Sequence, residues 1–257
     1  MEESSSTMSY LKTQHEDGVA TVTISRGKVN ALDAELVAEL RSTFRELGER
    51  DDTVGVVLTG AGAFFSFGLD VPGLYDLPPA GFAEFLRDFT ALYTELFGFG
   101  KPLVAALNGH AVAGGCMLAL ACDLRLMADG PGRIGLNEAS FGSSLFAGSV
   151  EMLRFAVGEP AAVQIARGGA LYDARAAAEV GLIDEVMPAA QLVGEARSRS
   201  VALGHGHPAA FRSIKALLRG RVLATMRATE SASIAEFVEI WYSETTRREL
   251  QKIQIRR

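Results

Sequence analysis

Three short stretches of the chain combine residues that can move protons and hold negative charge: "IGLNEAS" (134–140), "FFSFGLD" (64–70) and "AVAGGCM" (111–117). The first supplies a carboxyl group, Glu138, set among Ile134, Leu136, Ala139 and Phe141. Partial burial there raises its pKa and suits it to proton transfer near neutral pH. A solvated turn is the other common fate of Asn-Glu in a loop, and periodicity does not separate the two. The other stretches place glycines where the backbone turns, beside Leu69 and at Gly114 and Gly115. A helix-interior glycine costs roughly 0.5–1 kcal/mol relative to alanine, so a pair at the mouth of an apolar helix points to another role for that backbone. The first N–H groups of a helix lack intrahelical acceptors and sit at the positive end of the aligned peptide dipoles, where an anionic oxygen is favoured. Tight packing of the turn against a neighbouring strand is the competing reading. Two N–H groups converging on one oxygen form an oxyanion hole, in which losing one donor costs about 10²–10³ in rate.

The elements that must position these residues alternate at short intervals. The alternation in "GVATVTIS" (18–25) predicts a half-buried strand. Asp33 then N-caps a helix carrying Leu36, Leu40, Phe44 and Leu47 on one face, and "TVGVVLTG" (53–60) is a buried strand, which completes a parallel crossover unit. A second amphipathic helix, Phe82 to Phe97, presents Phe82, Phe85, Phe89, Leu92 and Leu96 and stops at Gly98. Strands follow at 102–109 and 124–128 with a helix in 111–124 between them, then a short strand at 132–139 that runs into a loop. Beyond Ser149 the pattern predicts helices at 149–157, 160–168, 173–180, 189–203, 208–219 and two more within 222–252, interrupted by one strand at 182–187. The class is α/β, with a helical tail that packs on the core or on a neighbouring subunit.

Composition removes several functions. The 257 residues are 48% hydrophobic and 22% charged, the profile of a globular chain, and the net charge of −6 speaks against a nucleic-acid-binding surface. No apolar run reaches the roughly 18–20 residues that span a bilayer, and the N-terminal "MEESSSTMSY" reads as a short frayed tail. The closing "QIRR" carries no targeting address. Cys116 and Cys122, six apart in one apolar segment, fit neither a disulfide framework nor a zinc site and read as buried thiols in a reducing cytoplasm. His15, His110, His205 and His207 show no metal-binding spacing, so no metal is expected. Ser66 is not in a G-x-S-x-G elbow, and Asp123, at the end of an apolar helix, reads as a backbone anchor.

Taken together, "KVNALDAEL", "FFSFGLD", "KPLVAALNGHAVAGGCMLALACDLRLMAD", "IGLNEASFG" and "ARAAAEVGLIDEVMP" resemble, in order and spacing and over nearly the whole chain, the crotonase (enoyl-CoA hydratase/isomerase) superfamily. The resemblance implies a right-handed spiral of ββα units over residues 1–188 and a helical C-terminal trimerisation region over 189–257. It implies an acyl-CoA substrate, no cofactor beyond that CoA, and a homotrimer or dimer of trimers. By motif position the backbone N–H groups of Leu69 and Gly114 grip the thioester oxygen. The family's hydratases place one glutamate just after Gly-Gly-Cys and another in the later loop; here these positions hold Met117 and Glu138. A thioether cannot deprotonate water, so the chain looks most like the 3,2-trans-enoyl-CoA isomerases, with Glu138 as the lone catalytic acid. The resemblance further places CoA along Lys28, Val29 and Ala31 and along Ser66, Phe67, Gly68 and Asp70, close to Gly115. The acyl chain runs toward 72–89, where Tyr75, Leu77, Phe82 and Phe85 are candidate contacts. Phe67 is bulkier than the family's usual residue. Hydration, thioester hydrolysis and a catalytically silent acyl-CoA-binding subunit are the alternatives.

Overall fold

The computed structural model describes residues 9–204 and 207–253. The expectations for the start of the N-terminal tail, His205 and "QIRR" fall outside them. The chain enters through a hairpin of β1 (Leu11–Glu16) and β2 (Val19–Ile24), paired from Leu11↔Ile24 to Glu16↔Val19 around a two-residue Asp17-Gly18 turn. Both turn residues have positive φ (49° and 78°), which the Asp-Gly pair tolerates and which matches the strand twist. Only Leu11 of β1 is buried, so this edge strand has no apolar alternation and escapes a periodicity search.

Next come β3 (Ala31–Leu32) and α1 (Ala34–Glu49), whose first turn donates the Leu36 N–H to the Asp33 carboxylate, the N-cap expected from sequence. Then follow β4 (Gly55–Gly60), β5 (Phe64–Ser66), β6 (Gly68–Leu69), α2 (Val71–Leu74), α3 (Pro79–Phe97), β7 (Leu103–Leu107), β8 (His110–Val112), α4 (Gly114–Ala121), β9 (Leu124–Ala128) and β10 (Ile134–Gly135). The remaining elements are α5 (Ala147–Val157), α6 (Glu159–Gly168), α7 (Ala174–Glu179), β11 (Glu185–Met187), α8 (Leu192–Gly204), α9 (Pro208–Tyr242) and α10 (Glu244–Leu250).

The main sheet has the order β1-β2-β4-β7-β9-β11, parallel from β2 onward. The shorter second strands leave it to form a parallel sheet β10-β8-β5 and a parallel pair β3-β6. Each unit thus adds one strand to the large sheet, one to a small sheet and then a helix, and parallel crossovers of this kind advance as a right-handed spiral. Both faces of the large sheet are covered, as parallel sheets require. The main core fills the space toward α1, α3, α4 and α5, and a smaller cluster including Val57, Val104 and Leu126 meets Leu192 and Ala196 of α8.

Two expectations are corrected. Residues 111–124 are not one helix: His110–Val112 pairs as β8, and the helix begins only at Gly114. The tail segments predicted at 208–219 and within 222–252 are one 35-residue helix, α9, running through Gly220, followed by α10. Gly220 has open space around it, so its cost is the modest propensity penalty of glycine in a long, well-packed helix.

Candidate active site

Glu138 lies just past β10, after Leu136 and Asn137, in a 3₁₀ turn (Glu138–Phe141) fixed by backbone bonds from Ser140 N–H to Asn137 O (3.0 Å) and from Ser143 N–H to Glu138 O (3.0 Å). Gly142 ends the turn in the left-handed region (φ 71°), and its carbonyl accepts the Thr246 hydroxyl at 2.6 Å, tying the turn to α10. The carboxyl group is buried, and its Oε2 has no hydrogen-bond partner among the described residues. Burial pushes its pKa from the ordinary 4.5 up to about 8, against a smaller opposing effect of its own backbone N–H. The solvated-turn alternative is thereby excluded.

The first glycine turn is braced from below. Phe67 N–H donates to Val29 O and Asp70 N–H to Leu32 O, both at 2.9 Å, while Gly68 has φ 95°. The Ser66 hydroxyl donates to Asn30 O (2.8 Å) and accepts the Gly68 N–H (3.1 Å). Asn30, fully buried, holds segment 28–32 against β5 through bonds to Ala61 O and Phe64 O.

In the second turn Ala113 takes φ 51°, ψ −118°, a conformation usually left to glycine and costing on the order of 1–3 kcal/mol. It brings the start of α4 against the first turn: a Cβ on Gly68 would lie 2.9 Å from Gly114 N, and one on Gly114 would lie 3.3 Å from Gly68 Cα. Gly115 is required by packing, since its Cβ would meet Ser66 O at 2.2 Å, whereas Gly114 lines a cavity. At the other end of α4, Asp123 accepts the Leu103 N–H (2.8 Å) and pairs with Lys215 (2.8 Å) and Arg219 (3.2 Å) of α9, the backbone anchor expected from sequence. Arg219 also donates to the Ala121 and Cys122 carbonyls, and burial pulls Lys215 down to about 8.

The cavity, of about 170 Å³, brings together Phe67, Leu69, Gly114, Met117 and Glu138 in a mostly apolar lining. The other candidates stay outside that lining. Lys28 is exposed; Ala31 pairs with Gly68; Val29, Ser66 and Gly68 serve the scaffold described above. Asp70 caps α2 and faces Arg26 at 3.4 Å. Tyr75 lies under the Arg247 guanidinium, 3.2 Å from its ring centre, and Phe82 stands behind the wall, 4.4 Å from the Trp241 ring. Sequence reasoning missed Asn137, Ser143, Phe146, Phe237 and Trp241 as lining residues. Unpaired polar residues flanking Glu138 were a usable signal for the first two; nothing local marks the aromatic ones. Among the described residues no group of three or more His, Cys, Asp or Glu side chains is placed to hold a metal ion, and both cysteines are free and buried.

A spiral of ββα units whose small sheets converge on one buried acid and two abutting glycine turns is the crotonase architecture. Residues 14–252 match the enoyl-CoA hydratase/isomerase family model, and the chain belongs to that family. It is 35% identical over 190 residues to mouse enoyl-CoA delta isomerase 1, mitochondrial, a stretch covering 73% of this chain and 66% of the mouse protein. The crystal structure of human mitochondrial delta3-delta2-enoyl-CoA isomerase superposes with a TM-score of 0.91 at 29% identity, covering 95% of this chain and 96% of that one. A probable enoyl-CoA hydratase from Mycobacterium tuberculosis superposes with a TM-score of 0.83 at 27% identity, covering 89% and 96%.

Proposed function

We propose that the protein converts 3-enoyl-CoA to trans-2-enoyl-CoA by a 1,3-proton shift carried by Glu138. One observation supports this most: among the described residues Glu138 is the single acidic side chain in the cavity lining, with Met117 where two-acid hydration needs a second carboxylate. The Leu69 and Gly114 N–H groups hold the thioester oxygen. As the C2 proton passes to the Glu138 carboxylate, the C–H electron pair spreads into the carbonyl and the C3–C4 double bond, and the oxygen gains the charge those donors favour. The same carboxyl returns the proton to C4, leaving a C2–C3 double bond. A pKa near 8 suits a group that must both take and give a proton near neutral pH. CoA lies along 28–32 and 66–70, and the reaction needs no cofactor beyond it.

Hydration is the second reading, favoured by the buried Asn137 Oδ1 and Ser143 Oγ, which have no partners among the described residues and can hold a water beside Glu138. Incubation with 3-hexenoyl-CoA and with crotonyl-CoA, each with and without Glu138→Gln, separates the two. Conversion of the first, lost in the variant, is expected; rapid consumption of crotonyl-CoA by water addition overturns the isomerase reading. Binding of both thioesters without turnover leaves a silent acyl-CoA-binding subunit.

The exposed Ile214, Leu217 and Leu218 of α9 form an apolar face that suits contact with other copies, and we propose a homotrimer or dimer of trimers. Light scattering that returns a monomer mass overturns this. Among the described residues no helix is long and apolar enough to cross a membrane, and the buried free thiols suit a reducing compartment, which we take to be the cytoplasm.

A further inference from the structure

Among the described residues, seven buried side-chain polar atoms lack a hydrogen-bond partner, and four of them belong to residues that line the cavity described above: Asn137 Oδ1, Glu138 Oε2, Ser143 Oγ and Trp241 Nε1. The first three belong to the turn that carries the acid. Trp241 comes from α9, more than a hundred positions later, and it is 1% exposed. An indole nitrogen can only donate. Burying it unpaired costs free energy that a phenylalanine would not incur, and its aromatic neighbours, Phe237 in the wall and Phe82 behind it, are hydrocarbon rings.

Trp241 is linked to the second glycine turn by a run of aromatic rings. Phe89 abuts Gly114, since a Cβ there would lie 3.2 Å from its Cζ. From Phe89 the wall continues through Phe146, Phe237 and Trp241, with ring centres 6.1, 4.4 and 6.1 Å apart in turn. A thioester held at Gly114 would therefore extend its acyl chain along this wall before reaching the indole. We propose that Trp241 is a specificity-determining residue whose N–H receives a hydrogen-bond-accepting oxygen on the acyl chain beyond the double bond, so that the substrates are oxygenated enoyl-CoA esters carrying a hydroxyl, keto or ether group. The inference rests on the acyl-CoA reading above for the direction of the chain.

The test compares 3-octenoyl-CoA with its 6-oxa and 7-oxa analogues, in which an ether oxygen replaces one methylene. The wild-type enzyme is expected to favour one oxa analogue in kcat/KM by about tenfold, the worth of one hydrogen bond, and Trp241→Phe to abolish that ratio. Trp241 is the sole tryptophan of the chain, so its fluorescence gives a second readout without altering it. In Glu138→Gln, which holds substrate without turnover, the favoured oxa analogue shifts the emission and the all-carbon ester does not. Preference for the all-carbon ester, an oxygen preference that persists in Trp241→Phe, or identical emission with both ligands overturns the proposal. If no ester is isomerised, the isomerase reading fails, and the fluorescence titration alone still decides the subsite.

Discussion

Replacing Glu138 with glutamine removes the acid and is also expected to make the fold more stable, increasingly so as the pH rises. Below about pH 4.5 the carboxyl is neutral in both the folded and the unfolded chain, and glutamine is its near-isostere, so the two proteins should differ little. Between 4.5 and about 8 the unfolded chain releases this proton while the folded chain keeps it. The folded state then binds more protons than the unfolded state, and stability falls by about 1.4 kcal/mol for each pH unit. At pH 7 the accumulated loss is about 3 kcal/mol, and once the folded group also ionises it levels off near roughly 5 kcal/mol. Glutamine does not titrate and escapes this loss. Urea unfolding of both proteins at pH 5, 6, 7 and 8, at one protein concentration and with unchanged slopes on denaturant, reads the difference directly. Two stability profiles that run parallel across this range would show that the carboxyl is solvated in the folded protein and would refute the reasoning.

The same carboxyl must be ionised to accept the C2 proton, so kcat/KM for 3-hexenoyl-CoA should rise with pH through a midpoint near 8, and Glu138→Gln should lose about 10²–10⁴ of it above that midpoint and less below it. Gly115→Ala drives a Cβ to 2.2 Å from the Ser66 carbonyl oxygen, and thermal unfolding should show a loss of about 1–3 kcal/mol or more. Asp123→Asn leaves Lys215 and Arg219 buried without their anionic partner and should cost about 3–5 kcal/mol in denaturant unfolding; Asp33→Ala, which removes an N-cap, should cost about 1 kcal/mol.

Much of this architecture was legible because burial imposes periods. The apolar stripe of α1, its Asp33 cap and the strands β2, β4, β7 and β9 follow from alternation and capping alone. The two glycine turns could be found because close backbone approach excludes side chains, and Gly115 shows that approach directly. What escaped was set by tertiary contact. β1 exposes every residue after Leu11 and shows no pattern; β8 is a three-residue strand recognisable only by its partners. The cavity wall joins Phe67 to Phe237 and Trp241 across much of the chain, and no local signal marks such a meeting. Phe82, a core residue by its helical spacing and a candidate acyl-chain contact only by resemblance, supports Trp241 from behind.

The 35 residues of α9 make a rod of about 50 Å at 1.5 Å per residue. One portion clamps the trailing end of α4 through Lys215 and Arg219, and the other closes the cavity with Phe237 and Trp241. The acid's reluctance to ionise therefore depends on insulation supplied a hundred positions downstream. Stripping that aromatic cover is expected to let water in and return Glu138 toward an ordinary carboxyl, so α9 would tune the proposed chemistry without carrying a reactive group.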